Sequence, residues 1–288
     1  MRAKTNGIDL EYETFGDPAR PVVVLVMGFS LQMIAWDEAF CTELASKGFR
    51  VVRFDNRDVG LSTKLDSLGV ADLGRAMSGD ATAVRYAIED MAEDLVGLLG
   101  ALHVEKAHLV GVSMGGFIVQ ATAIGHPERV LSLASIMSST GDRSVGHPKP
   151  EALPALMGSP PTDRERAMQR SVDVRRVLGS PGFPFDEARA RANGARAWDR
   201  NHEYAGVGRQ LAAILSMRDR TADLSRVRAP TVVIHGAEDP LINVSGGEAT
   251  ARAIPGARLV VVPGMGHDLP PEAWPTIISA ITENAARA

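Results

Sequence analysis

The chain has 288 residues, 45% hydrophobic and 23% charged, with a formal net charge of −4; it is long enough for one large domain with an insertion, and its mildly acidic balance excludes the usual signature of a nucleic-acid partner. Its one cysteine, Cys41, excludes an intrachain disulfide and a cysteine metal cluster, and reads as a small buried apolar residue. The cations near Met1 lead into no apolar run like that of a signal peptide, and the longest apolar run, 22–27, is far too short to span a bilayer, so we expect a soluble protein of the reducing cytoplasm with no membrane partner.

Asn6-Gly7 between residues 2–5 and 8–14 predicts a tight hairpin. The β-branched run 21–27 predicts a strand covered on both faces. Gly28-Phe29-Ser30 breaks it, and helical spacing follows over 36–47, closed by Gly48. Residues 51–54 form the next predicted strand, running into a polar loop over 55–62. Apolar spacing predicts an amphipathic helix over 83–102, with Val84, Ile88, Met91, Leu95 and Leu98 on one face. A short strand over 107–110 and a small-residue helix ending at His126-Pro127 come next, then a strand over 130–137. Between residues 142 and 228 strands vanish, and short helical patterns appear over 164–177, 186–198 and 207–217. Strands at 231–235 and 258–262 and a closing helix over 271–286 restore the alternation. Strand alternating with helix predicts an α/β domain with a mostly parallel β-sheet flanked by helices. Residues 1–141 and 229–288 form the core in this reading, and 142–228 a helical insertion.

Gly111-Val112-Ser113-Met114-Gly115 sits between a strand pattern and a helix pattern. G-x-S-x-G by itself recurs by chance, but in that context it is a strained turn presenting a serine hydroxyl, with glycines where a Cβ would collide. A serine needs a general base, and the base needs an orienting acid. Of seven histidines, His267 lies in Gly264-Met265-Gly266-His267, a glycine-rich loop directly after a strand. His235 ends a strand and is a candidate for holding the next turn. The acid expected between serine and base in chain order is Asp239, in the loop after 231–235 and stiffened by Pro240; Glu238 is the less favoured neighbour. Asp268 reads as a solvated or loop-capping carboxylate. Oxyanion donors are expected from the backbone N–H of Met114 and, across the turn at Gly28, of Phe29.

These residues resemble the α/β-hydrolase superfamily along nearly the whole chain. Within it, Val26-Met27-Gly28-Phe29, the loop over 55–62 and Gly264-Met265-Gly266-His267 are similar to the aclacinomycin-methylesterase-like carboxylesterases. Met27 stands where many members have histidine, a change of side chain at a site that works through its backbone. The resemblance implies the α/β-hydrolase fold with an inserted helical cap, and a bracing, structural role for Arg57. Trp198, Met157 and Leu211, with Met168, Ile214 and Met217, are then candidates for the wall of an acyl pocket, with simple core packing as the reading their helical spacing favours. Arg175, Arg176 and Arg209 are candidates for meeting an anionic substrate, with a solvated helix face as the favoured reading.

The expected function is a serine esterase acting on small-molecule carboxylic esters through an acyl-enzyme, with Ser113 as nucleophile, His267 as base and Asp239 as acid. That chemistry requires no metal and no organic cofactor. The same residues would serve a C–C bond hydrolase, lactonase, amidase or perhydrolase, and a ligand receptor on this fold is the reading from another class. Dehalogenases and epoxide hydrolases need a carboxylate nucleophile, against which Ser113 argues. Oligomeric state is not legible.

Overall fold

The structure, a computed structural model, describes residues 1–78 and 80–288. β1 (Arg2–Thr5) and β2 (Ile8–Phe15) form a hairpin over Asn6 and Gly7, whose φ angles of 44° and 77° suit a two-residue turn of the hand that strand twist favours. β3 (Val22–Val26), α1 (Glu38–Ser46), β4 (Arg50–Phe54), α2 (Leu73–Met77) and α3 (Ile88–Ala101) follow, then β5 (Ala107–Val112), α4 (Met114–Gly125) and β6 (Val130–Ile136). After β6 the chain is helical through α5 (Ala152–Met157), α6 (Arg164–Leu178), α7 (Glu187–Arg200), α8 (Val207–Leu215) and α9 (Thr221–Leu224). β7 (Thr231–Gly236), α10 (Val244–Ala253), β8 (Arg258–Val262) and α11 (Trp274–Ala285) close it. Among the described residues the strands form one eight-stranded sheet, in the order β1-β2-β4-β3-β5-β6-β7-β8. β1–β2 and β2–β4 are antiparallel, and the remaining pairs are parallel.

Two layers of core follow from the two-residue period of the strands. Val22, Val24 and Val26 of β3 join Leu95, Leu98 and Ile118 of α3 and α4 on one face. Val23 and Leu25 join Trp36, Phe40, Ile277 and Ile281 on the other. A strand packed on both faces needs apolar residues throughout, which is why β3 reads as an unbroken run. Cys41 is buried in the second layer. Because the central strands are parallel, the loops after β3, β5, β7 and β8 all emerge at one edge of the sheet, where sites on such sheets form.

Several helices start later than their patterns predict, α1 and α3 among them. Asp37 accepts the Ala39 N–H at 2.8 Å and so begins α1 at Glu38. α3 begins at Ile88 because Ala87 is extended and gives its N–H to the Asp90 carboxylate at 2.8 Å. Val84 therefore leaves the helix and packs against a small cluster of Ala71, Ala76, Ala83 and Ala212. No helix among the described residues is long and apolar enough to cross a membrane.

The loop over 55–62 is buried, and each of its charges has a partner. Asp55 accepts the Met33 and Leu61 N–H groups at 2.7 and 2.8 Å and pairs with Arg200 of α7 at 2.7 Å. Arg57 grips both carboxylate oxygens of Asp94 on α3, at 2.6 and 2.7 Å, which supports its bracing role. Asp58 is held by Arg209 of α8 at 2.7 and 2.8 Å and by the Tyr86 hydroxyl at 2.8 Å. Arg209 is thus no solvated residue. It is 2% exposed, because its carboxylate partner lies 151 positions earlier, inside the fold. Removing one member of a buried pair strands the other's charge. We expect Arg209→Met to cost about 3–5 kcal/mol in urea-induced unfolding, and Arg209→Met with Asp58→Asn to recover part of it. A single-variant loss near zero would mean that the pair is no strut.

Candidate active site

Ser113 follows the last residue of β5 and precedes the first of α4, with φ 55° and ψ −117°. The residues two positions away on either side must be glycine. A Cβ on Gly111 would lie 2.1 Å from the Gly115 carbonyl oxygen, and one on Gly115 would lie 2.1 Å from that of Val26. The Ser113 N–H donates to the Ile136 carbonyl at 2.9 Å, which anchors the turn to β6.

His267, in the loop after β8, brings Nε2 to 3.0 Å from Ser113 Oγ and Nδ1 to 2.7 Å from Asp239 Oδ2. Asp239 is 3% exposed and lies in the loop after β7, where its Oδ1 accepts the Leu241 and Ile242 N–H groups at 2.8 and 2.9 Å. An ionised carboxylate only accepts, so this contact puts the imidazole proton on Nδ1 and turns the Nε2 lone pair toward the serine hydroxyl. Glu238 takes no part in the chain of contacts. The three side chains read from the sequence therefore meet, from three separate loops.

Gly28 lies against the serine: a Cβ there would come within 3.3 Å of Ser113 Cβ and of the Val112 carbonyl oxygen. Among the described residues the N–H groups of Phe29 and Met114 have no acceptor. The loop carrying Phe29 is fixed just downstream, where Ser30 N–H donates to Gln210 Oε1 at 3.0 Å and Gln32 donates to the Ala197 carbonyl at 2.7 Å. Gln210 Nε2 in turn donates to the Arg57 carbonyl at 2.8 Å.

The histidine loop is held from the helical segment. His267 N–H donates to the Leu178 carbonyl at 2.7 Å, Gly266 N–H to Ser180 Oγ at 2.8 Å, and Gly182 N–H to the Gly264 carbonyl at 2.9 Å. Asp268 accepts from Ser180 and lies 3.4 Å from Arg175, so it ties this segment down and is only one-fifth exposed. Burial pushes its pKa up.

A cavity of about 650 Å³ opens over Ser113 and His267, walled by Phe29, Trp36 and Trp274 from the core and by α6 and α7 from the helical segment. Trp198, Met157 and Leu211 are not in its wall. On α7 the cavity is lined by Arg189, Ala190, Asn193, Gly194, Arg196 and Ala197, a set with helical spacing. Trp198 falls one position round from that face and stacks on His202 instead, with ring centroids 4.5 Å apart. Leu156 lines the cavity, which turns the adjacent Met157 outward to 49% exposure. Leu211 packs on the core. Met168, Ile214 and Met217 are likewise absent from the wall, whereas Arg175 and Arg176 border it. Trp36, Asn193, Tyr204 and Trp274, which do line it, belong to no sequence motif. Among the described residues no group of His, Cys, Asp or Glu could hold a metal ion.

His235 is buried and donates from Nε2 to the Ile242 carbonyl at 2.7 Å, holding the turn that carries Asp239. Burial lowers its pKa, against the opposing pull of that carbonyl and of Asp239. An unfolded histidine titrates at about 6.5, so below that pH the unfolded chain binds a proton that the folded one refuses, and stability falls as pH drops. Burial lowers His108 in the same direction. We expect the Tm to fall between about pH 7.5 and 5, and to fall less in His235→Gln. Calorimetry on both proteins reads this, and equal slopes would refute a role for His235.

Residues 21–273 match the family model described as alpha/beta hydrolase fold. The chain is 29% identical to rhodomycin D methylesterase of Streptomyces peucetius, over 91% of this chain and 90% of that one. Among solved structures it is similar to a thermophilic esterase from Thermogutta terrifontis, with a TM-score of 0.72 and 25% identity over 100% of this chain and 98% of that one. It also shares its fold with an enol-lactonase from Burkholderia xenovorans, with a TM-score of 0.76 and 22% identity over 99% and 100% of the two chains. The parallel sheet, the serine at the end of β5 and the match across most of the sequence place this chain in the α/β-hydrolase family.

Proposed function

We propose that the protein is a serine hydrolase that cleaves small-molecule carboxylic esters through an acyl-enzyme. The observation that carries this reading is the hydrogen-bonded series Asp239–His267–Ser113 under a substrate-sized cavity. Ser113 Oγ attacks the ester carbonyl while His267 Nε2 takes the hydroxyl proton. Asp239 keeps the imidazole in the required tautomer and stabilises the imidazolium. The Phe29 and Met114 N–H groups donate to the developing oxyanion; amides with no acceptor among the described residues suit that role. Collapse of the tetrahedral intermediate breaks the ester C–O bond, and the imidazolium gives its proton to the departing alcohol. Water, deprotonated by the same nitrogen, then attacks the acyl carbonyl, and Ser113 leaves with the proton. Apart from the ester and water, every step uses side chains and backbone of this chain.

The 29% identity to a methylesterase makes methyl esters the first substrates to examine. The cavity is large for a simple acetate ester, which supports a bulky acid portion beneath the cap formed by α5 to α9.

Ser113→Ala is expected to reduce turnover of p-nitrophenyl acetate and of methyl esters by about 10⁴-fold or more, with an unchanged circular dichroism spectrum. Asp239→Asn is expected to lose on the order of 10³–10⁴-fold in kcat. Steady-state kinetics on the purified variants measure both, and retained turnover in Ser113→Ala would overturn the assignment. A fluorophosphonate probe should label the native protein and not the alanine variant; labelling without ester turnover would favour a ligand receptor.

A further inference from the structure

Five arginines of α6 and α7 border the cavity over Ser113. Three are neutralised within the protein: Arg175 lies 3.4 Å from Asp268, Arg176 is 2.7 Å from Glu187, and Arg189 is 2.8 Å from Asp37. Arg196 is exposed and donates to the Ile34 carbonyl at 3.2 Å. Arg170 differs from all of these. It is half-buried, and among the described residues no carboxylate lies within ion-pair distance of it. Its one contact to an acceptor is Nη2 to the Leu156 carbonyl at 2.8 Å. Gly158 presses on it closely enough that a Cβ there would lie 2.7 Å from Nη1. The guanidinium is thus held in place while most of its donors stay unfilled. Burial lowers its pKa, the mark of a cation short of compensation.

Other polar groups of the cavity wall are in the same condition. Tyr204 lines the same cavity, is half-buried and close enough to Arg170 to feel its charge, and its hydroxyl has no partner among the described residues. Ser171 and Asn193, also in the wall, have side chains with no hydrogen bond there. On its outer side Arg170 borders a shallower pocket, where Asp173 is engaged by Gln169 at 2.9 Å and forms no ion pair with it. A partly desolvated guanidinium with a free face recognises an oxyanion through charge-assisted, paired hydrogen bonds.

We propose that Arg170 and Tyr204, with Ser171 and Asn193 of the same wall, form a subsite for an anionic oxygen group on the substrate, so that the preferred ester carries a second, acidic function away from its scissile carbonyl. This rests on the ester-hydrolase reading above. The chemistry fits a carboxylate or an ionised phenol, and the substrates that test it separate the two.

Monomethyl esters of straight-chain dicarboxylic acids, from succinate to sebacate, are compared with methyl esters of the matching monocarboxylic acids. Methyl hydroxynitrobenzoates, ionised at neutral pH, are compared with their methoxy counterparts. The expected result is a kcat/KM ratio of acidic over neutral ester above one, at one chain length or in the phenol pair. That ratio falls about tenfold or more in Arg170→Met, less in Arg170→Lys, and by a smaller factor in Tyr204→Phe. A ratio that Arg170→Met leaves unmoved, or equal losses on both members of a pair, overturns the subsite. Calorimetric binding of the same esters to Ser113→Ala, with and without Arg170→Met, tests the subsite without turnover. Selective binding of the acidic ester that Arg170→Met abolishes supports the subsite even where no ester is cleaved, an outcome that would sink only the ester-hydrolase reading. Binding with no such selectivity overturns the subsite even where esters are cleaved.

Discussion

Ser113 sits in a backbone conformation that a side chain resists, and much of the site is arranged by what holds it there. A residue at φ 55° and ψ −117° costs about 1–3 kcal/mol, and persists only where its surroundings leave no alternative. Those surroundings are the sheet. The Ser113 N–H is tied to the end of β6, its carbonyl accepts from Gly116 and Phe117 in the first turn of α4, and Gly115 lies against the carbonyl of Val26 at the end of β3. The last of these contacts matters twice. β3 is also the strand that leads into Gly28 and Phe29, so the approach that lets the serine turn close also brings the Phe29 loop up to the serine. One steric constraint, satisfied by the missing Cβ atoms of Gly111, Gly115 and Gly28, sets the position of Ser113 and of the Phe29 loop together.

The helical segment after β6 bears on the same geometry. Arg200 reaches Asp55, which also holds the Met33 N–H, and Gln210 joins the Ser30 amide to the Arg57 carbonyl. At the other side of the cavity, backbone groups of Leu178 and Gly182 and the hydroxyl of Ser180 hold the histidine loop. Both loops that border the cavity are therefore pinned by residues of the segment that also walls it. The buried charges used for this carry a desolvation cost, and they are tolerable because each carboxylate is filled by several donors. Asp55 has three and Asp58 has Arg209, Tyr86 and the Leu65 N–H. Their gain is geometric: a bidentate guanidinium fixes direction as well as distance.

This division explains what could be read before any coordinates. Ser113, Asp239 and His267 were legible because each lies just past a strand whose apolar run is itself legible, and parallel strands carry such positions to one edge. Asp239 was separable from Glu238 by its offset from β7. The apolar period runs past the start of α3 because Asp90, inside that period, turns back to cap Ala87; periodicity marks a face and not an end. The cap was read least well. Trp198, Met157 and Leu211 are the large apolar residues one expects to meet a ligand, yet each is turned aside by the face that its helix commits to a neighbour. α7 packs on α6 through Gly194, where a Cβ would come within 2.7 Å of the Ala167 carbonyl oxygen. That contact fixes the rotation of α7, and with it Asn193 and Ala197 toward the cavity and Trp198 away. Small residues at helical spacing are thus the cap's informative positions, since they say where two helices touch and hence which residues beside the contact are left to face the substrate.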